Sequence, residues 1–219
     1  MQIACDRLLI NDSNIPDQEI RDCLWEDFAK NNIELINGFE VWSEISDRLI
    51  ILEKTVDRIL LPWFSVSIFL RCTGFLPAMD KTISLPSIKR RLDGMTPRGI
   101  SISDDDLAKL SKCSPDEDIL LLDDVIASGT TLNGISKRMG KSGLKTATLI
   151  KREPNQLKSS LSQNVLSPCT VVPRTVKFPA INTLSSLRDP AKVDTILFGF
   201  RYFYGEQFAN RIQRLFLIP

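Results

Sequence analysis

ILLLDDVIASGTTLNGI, Ile119–Ile135, is the stretch on which the reading of this chain turns. Its first four residues are continuously apolar, as in a parallel strand covered on both faces. Two adjacent acids, Asp123 and Asp124, come next, then an apolar pair. The small-residue turn Ala127-Ser128-Gly129-Thr130-Thr131 follows and opens directly into a helical pattern. At such a turn, backbone N–H groups and a helix N-terminus converge on one point and favour a phosphate. Ser128, Thr130 and Thr131 add hydroxyl donors. Charge-assisted hydrogen bonds contribute roughly 1.5–3 kcal/mol each, so four or five of them hold a phosphomonoester. Carboxylates repel phosphate, so Asp123 and Asp124 make sense only if they face sugar hydroxyls or a Mg²⁺ ion beside it. A ligand with a 5-phosphate and a vicinal diol meets both conditions. The plainer alternative, an ordinary capped helix start, needs one Asp or Ser; here two acids, a glycine and three hydroxyls fall in order.

Working outward, Ile20, Leu24 and Phe28 recur every four residues and predict a helix over Pro16–Lys30. Trp42, Ile45, Leu49 and Leu52 predict a second over Phe39–Leu52. A strand is expected at Val56–Leu61, a helix at Ser65–Arg71 and a strand at Ile83–Ile88. The segment KRRLDGMTPRGISISDDD reads as a loop from its Gly, Pro, Ser and charge. A helix over Asp105–Lys112 precedes the strand Ile119–Leu122, and a helix over Thr131–Gly140 precedes the strand Thr146–Lys151. Short apolar strands between helices indicate an α/β fold, a parallel sheet with helices on both faces. The 219 residues suit a single domain with a core over about 45–152 and accessory parts over about 1–40 and 155–219. Gly140-Lys141-Ser142 imitates the end of a nucleotide P-loop, but it has the wrong spacing and follows a helix, so it reads as a helix C-terminus.

Composition narrows the chemistry. The chain has no histidine, which excludes Ser-His-Asp and Cys-His triads, imidazole bases and His-containing zinc sites. With 28 Lys+Arg against 27 Asp+Glu, the net charge of +1 predicts no general attraction to nucleic acid or to membranes. Charge is uneven locally: residues 1–40 hold nine acids and three bases, whereas 81–99 hold five bases and one acid. The five cysteines are scattered and form no CxxC pair, as expected of free thiols in a reducing cytosol. The start MQIACDRLLIND lacks the charge-then-apolar pattern of a signal peptide. The longest nearly apolar run, Ile59–Leu70, is too short to span a bilayer. A cytoplasmic protein without membrane partners is expected.

LLLDDVIASGTTL resembles the phosphoribosyl pyrophosphate (PRPP) signature of type I phosphoribosyltransferases. The resemblance implies that family's fold, a parallel sheet plus a variable hood. It also implies that Asp123 and Asp124 hold the ribose 2- and 3-hydroxyls and Mg²⁺, and that Ala127, Ser128, Gly129, Thr130 and Thr131 cradle the 5-phosphate. The family's pyrophosphate loop corresponds to Pro62–Val66, with Trp63, Phe64 and Ser65 at its centre and neither glycine nor a basic residue. Its mobile catalytic loop corresponds to the segment with Arg90 and Arg91, whose cations would close over departing pyrophosphate. TLIKREP resembles the segment of 6-oxopurine enzymes where a lysine binds the purine, which makes Lys151 a base-binding candidate; ILFGFRYFYGEQFANR (Ile196–Arg211) resembles their aromatic base-stacking region, with Phe200, Tyr202 or Phe203 as the stacker. Ala127, however, stands where those enzymes carry an aspartate, as in adenine and orotate enzymes, so the nucleobase stays open. The implied activity is Mg²⁺-dependent transfer of phosphoribose from PRPP to a nucleobase. Sensing of PRPP or a nucleotide without turnover, through a second copy or another protein, is the competing reading.

Overall fold

The computed structural model describes residues 1–93, 96–153, 165–172, 174 and 180–217. In chain order its strands are β1 (Gln2–Ala4), β2 (Arg7–Asn11), β3 (Ile33–Asn37), β4 (Arg58–Pro62), β5 (Thr82–Leu85), β6 (Lys89–Asp93), β7 (Thr96–Ser101), β8 (Ile119–Ile126), β9 (Lys145–Arg152), β10 (Val165–Leu166), β11 (Cys169–Val172) and β12 (Ala180–Thr183). The helices are α1 (Asp17–Lys30), α2 (Gly38–Trp42), α3 (Ser46–Lys54), α4 (Trp63–Thr73), α5 (Asp104–Ser111), α6 (Thr130–Met139), α7 (Val193–Tyr204) and α8 (Glu206–Leu217). They form two compact units: Met1–Ile3 with Trp42–Val172, and Ala4–Val41 with Pro173–Pro219.

The first unit is built on a sheet in the order β1-β11-β9-β8-β4-β5, with β10 also on β9. The β5–β4, β4–β8, β8–β9 and β9–β11 pairs are all parallel. β8 is central, and its apolar run explains why. Leu120, Leu121 and Leu122 are each fully buried although successive side chains of a strand point to opposite faces. Leu121 joins Leu110 of α5 and Leu132 and Ile135 of α6 in one cluster. A strand with no polar face has to be covered on both sides by helices, as the α/β expectation requires.

Four local expectations need correction. Phe39–Leu52 is not one helix: α2 ends at Trp42, a 3-10 turn spans Ser43–Ile45, and α3 starts at Ser46. The break follows Trp42, whose fully buried indole donates to the Leu149 carbonyl at 2.7 Å. The segment read as a loop from Lys89 is an antiparallel hairpin, β6–β7, with a register shift between Arg91 and Leu92. Its Gly and Pro content masked the apolar anchors Ile88 and Ile100, both buried. Pro62–Val66 is not a loop either, because β4 runs straight into α4 at Trp63. The strand expected to reach Ile88 stops at Leu85, before Pro86, whose ring removes a ladder donor. Gly94 of the basic segment and Pro154 of TLIKREP lie outside the described residues.

The base of the hairpin is tied by a buried acid. Ser87, before β6, donates to Asp106 Oδ2 through its N–H at 2.8 Å and its hydroxyl at 2.6 Å. Ser103, after β7, donates its N–H to Ser87 Oγ at 2.9 Å and accepts the Asp106 N–H, capping α5. Lys109 Nζ stands 2.7 Å from Asp106 Oδ1.

The second unit has its own parallel sheet, β12-β2-β3, which the sequence reading missed. Leu9 and Leu35 of this sheet share a cluster with Leu24 and Phe28 of α1, Phe200 of α7 and Phe208 of α8. Arg7 is buried in it, donating to Asn182 Oδ1 at 2.8 Å and lying 4.4 Å from the Phe200 ring centroid. Asp12, also buried, accepts the Ser185 N–H at 3.0 Å and its hydroxyl at 2.6 Å.

Two stability predictions follow from the first unit. Trp42→Phe forfeits the hydrogen bond to Leu149 and costs about 1 kcal/mol or somewhat more, whereas Trp42→Ala adds a cavity and costs roughly 3–5 kcal/mol; denaturant unfolding reads both. Burial pushes the Asp106 carboxyl up, but Lys109 and the two Ser87 donors outweigh it and hold it below the ordinary 3.8. The stabilisation is therefore present above that value and is lost as pH falls through the lower folded pKa. Unfolding midpoints across the acid range should show this loss in the natural chain and a smaller slope in Asp106→Asn.

Candidate functional site

β8 lies between β4 and β9, so its carboxyl end opens at the middle of the sheet edge. Both acids lie within the strand, three and two residues before its end at Ile126, so β8 runs beyond the end expected at Leu122. Asp123 is 2 % exposed and accepts the Asp124 N–H at 3.0 Å, while Asp124, half-buried, accepts the Val125 N–H at 2.7 Å. The Asp124 carbonyl in turn accepts the Thr148 hydroxyl of β9 at 3.0 Å. Each carboxylate is thus held against backbone near the carboxyl end of β8.

After Ile126 the turn tightens. Gly129 adopts φ 72° and ψ 11°, a left-handed conformation that costs glycine nothing and a side chain considerably more. It starts α6, with its carbonyl accepting the Asn133 N–H at 2.8 Å. The Ser128 and Thr130 hydroxyls stand 2.6 Å apart, and Ser128 Oγ also accepts the Thr130 N–H at 3.4 Å, while Gly129 at the N-cap has no side chain to offer. The positive end of the helix dipole at this point favours a negative group. Asp123 and residues 125–132 line one shallow cleft; Asp124 is beside it and off its lining. The structure brings Asp123 and Ala127–Thr131 together and separates the two acids in kind, one in the cleft wall and one at its shoulder.

The other candidates are distributed more widely. Lys151 is paired in register with Ile126, at the same sheet edge, and its ammonium lies 2.9 Å from Glu153 Oε1. Trp63, Phe64 and Ser65 form the first turn of α4, which follows β4, the other neighbour of β8. Arg90 and Arg91 sit on β6, paired with Ile100 and Gly99 of β7; their side chains lie outside the described part. Tyr202 belongs to the second unit, 76 % exposed on α7, with its ring edge-on to Phe203 at 5.0 Å.

Sequence reasoning missed two residues of this edge. Thr148 and Glu153 become visible only through strand alternation: Glu153 lies two residues after Lys151, on the same face, and Thr148 is opposite Asp123. No cysteine competes as a nucleophile here. Cys169 is fully buried and its thiol is pushed up to about 11, and burial raises Cys113 as well. Among the described residues no group of three or more His, Cys, Asp or Glu side chains gathers to hold a metal. None of the described helices is long and apolar enough to cross a membrane.

No protein-family model and no curated relative matches the sequence. Among solved structures, the chain is similar to a purine phosphoribosyltransferase from Pyrococcus horikoshii Ot3, at 14 % identity and a TM-score of 0.41, over 81 % of this chain and 92 % of that one. A hypothetical protein from Neisseria gonorrhoeae with bound ppGpp matches at 10 % identity and a TM-score of 0.44 over the same shares. A hypoxanthine phosphoribosyltransferase from Staphylococcus aureus matches at 15 % identity and 0.41, over 61 % of this chain and 72 % of its own.

Proposed function

We propose that this protein is a type I phosphoribosyltransferase-like enzyme that binds PRPP, or a nucleoside 5′-monophosphate in the reverse direction, and transfers phosphoribose to a nucleobase. One observation carries the reading: the buried carboxylate of Asp123 and the left-handed Gly129 turn line the same cleft. An anion cradle next to a carboxylate suits a ligand that offers phosphate to one and hydroxyls or a cation to the other. In this reading Ala127–Thr131 seat the 5-phosphate, and Asp123 and Asp124 take the ribose hydroxyls. The C1–oxygen bond of PRPP breaks with its electron pair leaving on pyrophosphate. A ring nitrogen of the base forms the new bond to C1 and releases its proton to solvent. Asp123 offsets the positive charge that develops on the ribose ring, and no covalent intermediate with the protein is required.

Mg²⁺ fits this donor set, because magnesium is commonly held by one or two carboxylates together with substrate phosphate oxygens. Asp123 and Asp124 would supply the carboxylates, and the bound ion would neutralise the departing pyrophosphate. Purines are slightly favoured as the base through Lys151, whose charge Glu153 balances. A cytoplasmic location follows the free thiols. The accessory ends over about 1–40 and 155–219 would serve as the hood.

A second reading, PRPP or nucleotide sensing without turnover, has one observation in its favour. α4 starts at Trp63 directly after β4, with no loop and no basic residue at the place expected to grip pyrophosphate.

The two readings separate in one assay of pyrophosphate release from PRPP, Mg²⁺ and a panel of nucleobases. The enzyme reading predicts base-dependent release that falls at least about a hundredfold in Asp123→Asn. Sensing predicts a raised melting temperature with PRPP and no release. Gly129→Val forces a side chain into the left-handed turn and should abolish binding of ribose 5-phosphate; unchanged affinity would sink the assigned cradle.

A further inference from the structure

The hairpin β6–β7 is docked along the helix that begins at the phosphate turn. Ile100 of β7 is 3 % exposed and lies against Gly134 of α6, where an added Cβ would come within 2.5 Å of Ile100 Cγ1 and 2.6 Å of its Cδ1. Arg138, one turn on, donates through Nη2 to the Ile100 carbonyl at 3.1 Å. Ile100 also shares a core cluster with Leu132 and Ile135 on either side of the glycine. Gly134 is four residues from the start of α6, about 6 Å along its axis at 1.5 Å per residue. The cross-strand partner of Ile100 is Arg90. The backbone carrying the basic residues is therefore one strand removed from a contact that only glycine permits. At the same end, the base of the hairpin, Asp106 fastens Ser87 and Ser103, which bracket the two strands.

We propose that Gly134 and Asp106 are positioning residues for anion binding: they fix the basic strand beside α6, so affinity at Ala127–Thr131 depends on them although neither touches the ligand. The proposal deepens the phosphate-site reading and rests on it. Ile100 is β-branched, stiff and buried, so it cannot simply rotate away from a new methyl group. Alanine is the better helix former, so Gly134→Ala acts on the docking of β7 while favouring α6 itself.

The test uses the full chain with ribose 5-phosphate as the probe, measuring affinity by calorimetry and hydrogen exchange across residues 89–101. Gly134→Ala is expected to speed exchange in the hairpin and weaken ribose 5-phosphate on the order of fivefold. Adding Ile100→Ala to it removes the two clashing carbons and should restore most of the affinity, measured against Ile100→Ala alone. Asp106→Asn, which keeps the shape and drops the charge, should speed exchange and weaken binding in the same direction. Faster exchange with unchanged affinity in both Gly134→Ala and Asp106→Asn overturns the positioning role and leaves the phosphate site standing. Failure of the natural chain to bind ribose 5-phosphate overturns the phosphate-site reading, and the positioning role falls with it. Unchanged exchange in Gly134→Ala refutes the docking itself.

Discussion

Burial of β8 on both faces is the constraint on which the rest of the first unit depends. A strand with no solvent face has to have a neighbour on each edge and helices above and below, and β4 and β9 supply the edges. A carboxylate inside such an apolar layer needs donors. Asp123, 2 % exposed, meets that condition with the next backbone N–H, and Asp124 repeats the arrangement one residue on. β8 continues past both acids, still paired with β9 through Val125 and Ile126, so the strand runs four residues beyond the end expected at Leu122. Gly129 then makes the reversal into α6 with a backbone conformation that other residues resist. Fold and site share this origin: one short stretch ends the strand, starts the helix and lines a single cleft with a buried carboxylate and a glycine turn.

The second unit solves a different problem. Its segments come from two distant parts of the chain, so its sheet is assembled through long-range pairing of β2 with β12. Such pairing bears a large loop-closure entropy that local helices do not. The unit answers with a dense aromatic and aliphatic cluster, including Phe28, Phe200 and Phe208. Among the described residues three buried charges remain within it and all are partnered: Asp6 by the Arg174 N–H, Arg7 by Asn182 and the Phe200 ring, Asp12 by the Ser185 N–H and hydroxyl. A buried charge is destabilising unless it is compensated in this way, so the Arg7 and Asp12 pairs specify how β12 lies against β2 more than they add stability.

What was legible in the sequence follows the strength of each local signal. The Ile119–Ile135 stretch is read correctly in kind because four apolar residues, a small-residue turn and a helical period are all local. The helix at Asp17–Lys30 is equally clear from its four-residue apolar spacing. The sheet β12-β2-β3 was not, since Ala180–Thr183 is short and Arg7–Asn11 includes a buried arginine and asparagine that break any apolar pattern. The hairpin was hidden for another reason: its glycine and proline signal turns, whereas its folding depends on Ile88 and Ile100 reaching the core. The loop at Pro62–Val66 was implied by the resemblance alone; Pro62 ends β4 and sits immediately before α4, where its fixed φ is tolerated. At the site, the pairing of Lys151 with Glu153 needs only strand alternation, but the coupling of Ile100 to Gly134 needs the third dimension.

The position of the basic residues also bears on how a phosphate turn becomes a catalyst. A cradle of N–H groups and a carboxylate are enough to bind a sugar phosphate, and these are local to β8 and α6. Expelling pyrophosphate demands more positive charge than helix dipoles provide, because the leaving group gains charge as the bond to C1 breaks. On the proposed phosphoribosyl transfer, the start of α4 offers backbone donors and no cation, so the charge would have to come from elsewhere in the unit. β6 carries Lys89, Arg90 and Arg91 in succession on a strand whose partner is seated on α6. On that reading the seating of the hairpin would bear both on how tightly the phosphate is held and on whether pyrophosphate is expelled, whereas the phosphate turn itself is common to binding and turnover.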